Sequence, residues 1–303
     1  MGGSGGSSYP TSPDRLDALR REALEALAVQ ERSVAINDVL AGALASLNDR
    51  DVDATRQRLD EIVAALGDLL VDVDRLLFGG SVAKHTYVDG LSDTDALVVV
   101  NEGDATPEDL VARFERALQS RLPLGDVREI TAGRLAVTVH YLDGSEIQLL
   151  PAVERNGRTS IASEDGGSWR QIRPHKFAEK LTEVNAANSG AVIPTIKLAK
   201  AVLANLPEDQ RLSGYHVEAI AVDAFRAYQG RRDRASMLQH LIAHAEKAVM
   251  SPTGDITGQS VHVDDYLGAS GSEARRAVSL AIRRIGRILD SGDASDYGRL
   301  LNG

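Results

Sequence analysis

The stretch FGGSVAKHTYVDGLSDTDALVVV, residues 78–100, decides the fold because it sets two carboxylates at the start of a buried strand. Asp93 and Asp95 are one residue apart, and the apolar run 96–100 follows at once. Residues i and i+2 of a strand project to the same face, so the two carboxylates are expected side by side. Such a pair is repulsive unless a cation lies between its members. The pattern therefore predicts a site for a divalent ion, Mg²⁺ or Mn²⁺, which binds carboxylates, water and phosphate oxygens together.

A glycine-rich turn precedes this pair by about a dozen residues. Gly79 and Gly80 would let backbone N–H groups approach a phosphate, and Ser81 adds a hydroxyl. The turn and the carboxylates together favour a site for a metal-bound triphosphate. Each element alone has a simpler interpretation, because Asp-x-Asp is common at solvated strand ends and Gly-Gly commonly ends a helix.

A third carboxylate is expected on a neighbouring strand. The stretch RLAVTVHYLDGSEIQLLPA, residues 134–152, alternates apolar and polar residues on both sides of Asp143-Gly144, which predicts a β-hairpin. Glu146 and Gln148 share a face of its second strand. Glu146 is the candidate metal ligand, whereas Gln148 can hydrogen-bond to a substrate without supplying charge. The alternative is that Glu146 is a water-facing charge at the edge of the hairpin.

Composition narrows the class of protein. The chain has 303 residues, a formal net charge of −10 and no cysteine, which argues against a broad nucleic-acid-coating surface and excludes disulfides and thiolate metal sites. No apolar run reaches 18 residues and no signal-peptide pattern opens the chain, so a cytoplasmic protein without membrane association is expected.

The patterns predict an α+β protein in three parts. Residues 1–12 are expected to be a flexible tail or linker, or a remnant of cloning, residues 13–170 a sheet-containing lobe with N-terminal helices, and residues 171–303 a helical lobe. The predicted elements are a helix from Pro13, a helix over 54–77, a strand over 95–100, a helix from Thr106-Pro107 to about Arg121, a loop over 154–173, helices at about 175–187, 191–205, 214–229, 235–249 and 272–290, and a loop over 251–264.

In combination these motifs resemble the polymerase-β-like nucleotidyltransferases. GGS and SDTD, followed by a strand pair that ends in EIQLLPA, are similar to the bacterial cyclic-oligonucleotide synthases of anti-phage defence, relatives of cyclic GMP–AMP synthase and oligoadenylate synthase. PTIKLAKAVLANL and RLSGYHVEAIAVDAF resemble the Lys helix and the Ser-x-Tyr element of that family. The resemblance spans residues 75–290. It implies a nucleotidyltransferase lobe with a mixed or antiparallel sheet and a helical C-terminal lobe.

The resemblance also implies roles for individual residues. Gly80 and Ser81 would hold the donor triphosphate, Asp93 and Asp95 would bind two metal ions, and Glu146 would complete the site. The positions implied to contact substrate from the helical lobe are Lys197 and Lys200 for the triphosphate and Ser213 and Tyr215 for phosphate, base or ribose. Many members of the family carry Asp three residues before Pro-Ala, where this chain has Gln148.

The implied reaction consumes ATP or other nucleoside triphosphates and makes a cyclic di- or trinucleotide that contains adenine and switches on a separate effector. The sequence SVAKHTYVDGLSD resembles that of the subgroup whose members work with HORMA-domain regulators. A HORMA-domain activator, together with DNA, is therefore an expected partner. Two other interpretations stay open: an RNA-directed nucleotidyltransferase, and a nucleotide-binding homologue whose catalysis is impaired by Gln148.

Three further features favour structural roles. Lys197 could be a surface lysine rather than a substrate ligand. His240 and His244 lie one turn apart with no third metal ligand in view, and are interpreted as packing or surface residues. Arg276, Arg283 and Arg287 fall near one helical face, which is more typical of a solvated stripe paired with acidic neighbours than of a docking surface.

Overall fold

The computed structural model describes residues 13–48, 52–67, 73–78, 94–100, 105–123, 125–163, 166–255 and 262–302. Its helices are α1 Pro13–Leu47, α2 Val52–Gly67, α3 Pro107–Arg121, α4 Pro174–Ala187, α5 Val192–Ala204, α6 Gly214–Phe225, α7 Arg234–Ala248, α8 Glu273–Ser291 and α9 Ala294–Asn302. Its strands are β1 Val73–Phe78, β2 Thr94–Val100, β3 Val127–Ala132, β4 Val137–Tyr141, β5 Glu146–Arg155, β6 Arg158–Ala162 and β7 Trp169–Gln171. Short 3₁₀ turns lie at Glu208–Gln210 and Asp265–Leu267.

The described strands form one mixed sheet. Its main path runs β1-β2-β5-β4-β3, and β6 and β7 extend it from the second half of β5. The β2–β5 pair is parallel, whereas the other pairs are antiparallel. The predicted fold class, an α+β protein with a mixed sheet followed by helices, is confirmed.

Strand β2, which lies between β1 and β5, is apolar because both of its faces are covered. Ala96, Val98 and Val100 belong to a core that also contains residues of α2, α3 and β5. Leu97 and Val99 belong to a second, smaller cluster on the alternate face of the strand. A strand buried on both sides needs a continuous apolar run, which is what residues 96–100 provide.

Local signals place α3 and the hairpin where they were expected. Thr106 caps α3 by accepting a hydrogen bond from the N–H of Asp109, whose carboxylate accepts one from the N–H of Thr106. Gly144 has φ of +85° at the turn between β4 and β5. Arg58 of α2 donates to Asp126 and Asp143 and lies over the ring of Tyr141, so α2 is fixed on this hairpin.

Two predictions of secondary structure are wrong. The helix expected over 54–77 ends at Gly67, and Val73–Phe78 is a strand that pairs antiparallel with β2. The loop expected over 154–173 contains β6, β7 and the end of β5. Asn156 and Gly157, with φ of 53° and 70°, make the tight turn that joins β5 to β6, and the polar side chains around them conceal a short antiparallel extension of the sheet.

The helical part has a core of its own. The five predicted C-terminal helices are confirmed as α4 to α8, with ends that differ by at most a few residues. Ile36, Leu40 and Leu44 of α1 belong to this core, so the second half of α1 packs with the C-terminal helices. Tyr297 of α9 is buried in the same cluster. The boundaries proposed at residues 12/13 and 170/171 stay predictions.

Candidate active site

The two carboxylates of the Asp-x-Asp motif lie at the edge of what the structure describes. Gly80, Ser81 and Asp93 fall outside the described residues, and Asp95 is described through its backbone in β2. The register of the parallel pair sets Asp95 opposite Gln148 and Thr94 opposite Ile147. The sheet therefore brings the beginnings of β2 and β5 together, as the sequence predicted.

Glu146 begins β5 and is held by its neighbour on β4. Its Oε1 lies 2.7 Å from Nδ1 of His140, the residue directly opposite it in the hairpin. The other ring nitrogen of His140 lies 3.0 Å from the hydroxyl of Thr131 on β3. Glu146 is partly exposed, so this contact orients the carboxylate without burying it.

Glu146 and Gln148 occupy the face of β5 that alternates with its core residues. Ile147 and Leu149 point into the helix-covered core, so the residues between them face the other side of the sheet. Gln148, not Glu146, is the Cα partner of Asp95. The neutral residue Gln148 is thus paired with Asp95 across the two strands, and the carboxylate of Glu146 belongs to the residue two positions earlier on β5.

Lys200 is a buried cation at the junction of α5 and α6. Its Nζ donates to Oε1 of Glu218 at 2.8 Å, and the two side chains are 6% and 1% exposed. A β-carbon at Gly214 would lie 3.3 Å from this Nζ, so glycine lets the lysine approach the first turn of α6. The structure therefore places the amine beside the backbone that begins the Ser-x-Tyr element.

Ser213 and Tyr215 stand at that same helix start. The hydroxyl of Ser213 caps α6 by accepting a hydrogen bond from the N–H of His216. The Tyr215 hydroxyl donates to Asp255 at 2.7 Å, and its ring packs edge-on against Phe177 with centroids 4.9 Å apart. Ser213 is thus the N-cap of α6, while its contact with substrate and that of Tyr215 stay predictions.

Lys197 points to a different set of neighbours. Its Nζ donates to the side chain of Asn48, at the end of α1. There it lines a cavity of about 780 Å³ between α1, α5 and α7 whose wall also includes Arg232 and Arg234. Lys197 and Lys200 therefore contact different partners, although one helical turn separates them.

A buried ionic cluster lies behind the start of α6. Arg275 of α8 donates to the carboxylate of Asp264 at 2.7 Å and to the carbonyls of Val249 and Gly268 at 2.9 Å. His216 lies on the other side, with Nε2 at 3.4 Å from the same carboxylate. All three charged or ionisable side chains are fully buried.

Burial is the largest influence on the pKa values of His216 and Asp264, the two titrating members of this cluster. Desolvation lowers the pKa of His216 from 6.5 to about 4, although Asp264 works in the opposite direction. Burial alone would raise the pKa of Asp264, but hydrogen bonds from Arg275 and from the N–H of Thr253 lower it below its ordinary value of 3.8. The cluster therefore holds a neutral histidine beside an ionised aspartate.

Tyr266 connects the cluster to the candidate substrate residues. Its hydroxyl accepts a hydrogen bond from the N–H of Ser213 at 3.0 Å and lies 3.1 Å from Nδ1 of His216. The segment that follows α7, which carries Asp255, Asp264 and Tyr266, is thereby fixed on the first turn of α6.

Sequence reasoning missed several of these residues. Glu218 could have been found, because a lone carboxylate inside an apolar helical run needs a buried partner. His140 could have been inferred from its place opposite Glu146 in the hairpin. No local pattern predicts the Arg275–Asp264–His216 cluster, since its members come from three separate elements.

Both histidines interpreted as structural, and Arg283 among the three arginines, have structural contacts. His244 lies 3.1 Å from Asp223, and the ring of His240 packs against Tyr228 and Phe225. Arg283 forms an ion pair with Glu246 at 2.7 Å, as expected for a solvated stripe.

Within the part of the chain that the structure describes, no three His, Asp or Glu side chains are grouped as a metal site. Because Asp93 is outside that part, the predicted metal site of Asp93, Asp95 and Glu146 stays a prediction. None of the described helices is long and apolar enough to cross a membrane.

Residues 40–185 match the family model of the Second Messenger Oligonucleotide or Dinucleotide Synthetase domain. This segment includes β1 to β7, the Asp-x-Asp motif and Glu146. No curated protein sequence matches the chain.

Solved structures share the fold over most of the chain. The Bradyrhizobium diazoefficiens CD-NTase CdnG in complex with GTP has a TM-score of 0.66 and 13% identity, over 88% of this chain and 97% of that one. The CdnC:HORMA-deltaN complex of E. coli MS115-1 gives 0.67 and 15%, over 88% and 98%. The Vibrio cholerae DncV cyclic AMP-GMP synthase gives 0.61 and 12%, over 94% and 90%. The chain therefore has the polymerase-β-like nucleotidyltransferase fold of these proteins.

Proposed function

We propose that this protein is a metal-dependent nucleotidyltransferase that joins nucleoside triphosphates, ATP among them, into a cyclic di- or trinucleotide. The observation that carries the proposal is the parallel register of β2 and β5, which sets Asp95 opposite Gln148, two residues after Glu146 on β5. That register lies inside the segment that matches the second-messenger synthetase family.

The carboxylates of Asp93, Asp95 and Glu146 are hard oxygen donors of the kind that Mg²⁺ and Mn²⁺ bind. They would hold two such ions, which supply activation of an acceptor hydroxyl and neutralisation of the leaving pyrophosphate. The contact between His140 and Glu146 supports this role, because it orients one oxygen of the carboxylate and leaves the side chain partly exposed.

The remaining residues would position the substrate. Gly80 and Ser81 would hold the donor triphosphate by backbone and hydroxyl hydrogen bonds, and Lys200 would approach its tail from the first turn of α6. Attack of a ribose hydroxyl on the α-phosphorus then forms the new phosphodiester bond and releases pyrophosphate. Catalysis in this scheme is positioning and charge stabilisation, since the protein forms no covalent bond to the nucleotide.

The product would act as a second messenger in anti-phage defence by binding a separate effector. A HORMA-domain protein, together with DNA, is the proposed activator. The SVAKHTYVDGLSD stretch supports this partner, and one protein of the same fold is known as a CdnC:HORMA-deltaN complex.

Gln148 favours one second candidate function, a nucleotide-binding homologue with impaired catalysis. A neutral amide lies opposite Asp95, where the family resemblance leads one to expect Asp. Such a protein would bind ATP without releasing pyrophosphate.

The test is synthesis from labelled ATP and GTP with Mg²⁺ or Mn²⁺, with and without the HORMA-domain partner and DNA. We expect pyrophosphate release and a labelled product that resists phosphatase, because a closed ring has no terminal phosphate. The Asp93→Asn/Asp95→Asn variant should lose at least about 100-fold of this activity and keep the wild-type melting temperature, whereas Asp290→Asn should have no effect.

The outcomes separate the candidate functions. Absence of pyrophosphate under every condition overturns the synthase, and ATP binding by thermal shift would then indicate the impaired homologue. Label that appears in added RNA would indicate an RNA-directed transferase. Full synthesis by the double Asn variant would refute the metal assignment.

A second set of variants tests whether Glu146 is the third metal ligand. If Glu146 binds metal, Glu146→Gln should lower synthesis by about 100-fold and raise the Mn²⁺ concentration required. Glu154→Gln, further along β5, is the matched control and should be nearly silent. Retained activity in Glu146→Gln, together with a gain in Gln148→Asp, would move the ligand position to residue 148.

A further inference from the structure

The first half of α1 carries an apolar stripe that the monomer leaves exposed. Leu16, Leu27 and Val34 are 55%, 51% and 55% exposed, and Leu19 is similar. At about 100° per residue, these side chains and Ala23 fall within roughly 60° of one line along the helix. The stripe is therefore a continuous face, hereafter the α1 stripe, rather than a set of scattered residues.

The α1 stripe is turned away from the side of the helix that packs on the body of the protein, by about 110° on average at 100° per residue. Ile36, Leu40 and Leu44 are buried in the helical core and define the attached side. Arg32, on the same side, donates to the carbonyl of Gly292. Val34 is exposed although Arg32 and Ile36, two residues to either side, are anchored, so the α1 stripe continues past the point where α1 meets the body.

Apart from Leu19, whose symmetric position is Glu31, the apolar residues of the α1 stripe are placed symmetrically about one point. Leu16 and Val34 are equally far from residue 25, and so are Ala23 and Leu27. Arg20 and Glu31, which flank the same edge of the stripe, share this midpoint to within one residue. A face that is symmetric in both apolar and charged positions is complementary to itself when a second copy runs antiparallel.

We propose that α1 pairs antiparallel with α1 of a second copy of this chain. Leu16 then meets Val34 of the second copy, Ala23 meets Leu27, and Arg20 lies beside Glu31 at both ends of the contact. In a parallel pair, Arg20 and Glu31 would instead face the opposite edge of the stripe, which carries the uncharged residues Leu19, Ala26 and Gln30. The charges thus select the antiparallel arrangement.

The pairing also explains why a long helix extends beyond the core that anchors it. Residues 14–32 are exposed on all sides in the monomer. An isolated helix of this length is only marginally stable in water, whereas burial of one face along about 27 Å would stabilise it.

The experiment is sedimentation velocity of the full chain between ~1 and ~100 µM, where we expect a concentration-dependent dimer. Leu27→Glu should make the protein monomeric across this range. Val29→Glu is the matched control, because Val29 is also exposed, on the opposite side of the same turn, and should leave the dimer intact.

Charge reversal tests the antiparallel register. Arg20→Glu and Glu31→Arg should each raise the dimer dissociation constant by about tenfold, and the double variant should restore it, because both pairs regain opposite charges. Arg21→Glu, one residue away on another face, should change little. A monomer at all concentrations, a dimer that survives Leu27→Glu, or a double variant no better than the single ones would overturn the proposal.

Discussion

At the scale of single residues, the pair of Lys200 and Glu218 shows how a charged side chain can be accommodated inside an apolar region. Glu218 stands in the apolar helix α6, and the only way for such a carboxylate to remain charged is a compensating partner. Lys200 supplies it at 2.8 Å. If Lys200 binds the triphosphate as proposed, this ion pair would orient its amine in advance.

Removing one member of this pair should be costly. Glu218→Gln leaves a buried ammonium without that carboxylate, and we expect the free energy of unfolding in urea to fall by about 3 to 5 kcal/mol. Glu183→Gln is the control, since Glu183 forms an exposed pair with Lys180 at the same distance and should change stability by less than about 1 kcal/mol. The double variant Lys200→Met/Glu218→Leu should recover most of the stability and still lose nucleotide binding. A stable Glu218→Gln protein would contradict the importance of the pair.

At the scale of elements, structure that depends on local signals can be predicted from the sequence, whereas structure that depends on long-range contacts cannot. The capping box at Thr106 and the Asp143-Gly144 turn are complete within a few residues, so α3 and the hairpin were predictable. The strand β1 was not, because an apolar run next to a helix fits either structure until its pairing with β2 is known. The Asn156-Gly157 turn could have been predicted, but the strands near it were not recognised because β6 and β7 contain many polar residues.

The same distinction between local signals and long-range contacts applies to the candidate site. The adjacency of Asp95 and the start of β5 followed from strand pairing, and it was predictable. The partners of Glu146, Lys200 and Ser213 are His140, Glu218 and Tyr266, and only the first of these is near in sequence. The other two depend on how α5, α6 and the segment after α7 pack, which no spacing rule specifies.

Arg275 holds the segment after α7 in place, so its loss should affect that element first. Arg275→Lys keeps the charge but cannot reach Asp264, Val249 and Gly268 at once, and we expect a loss of about 2 to 4 kcal/mol in unfolding free energy. Limited proteolysis should then cut within residues 249–272 before any other region. Arg276→Lys, one residue away and exposed, should behave as wild type; equal damage by both substitutions would argue against this anchoring role.

At the scale of the whole molecule, the same cluster should make stability depend on pH. His216 has a pKa of about 4 in the folded protein and about 6.5 when unfolded, so the unfolded chain binds the extra proton first. Its contribution is complete above pH 6.5 and is lost as the pH falls toward 4, by roughly 3 kcal/mol in total. Asp264, whose pKa is also lowered, adds a further loss at still lower pH, below its ordinary value of 3.8.

Urea unfolding at pH 7.5, 5.5 and 4.5 measures this dependence. His216→Gln should be less stable than wild type at pH 7.5 and should show a flatter decline between pH 6.5 and 4, since the linked proton is gone. His175→Gln, an exposed histidine on α4, serves as the control and should keep the wild-type slope. An unchanged slope in His216→Gln would mean that acid sensitivity arises elsewhere in the protein.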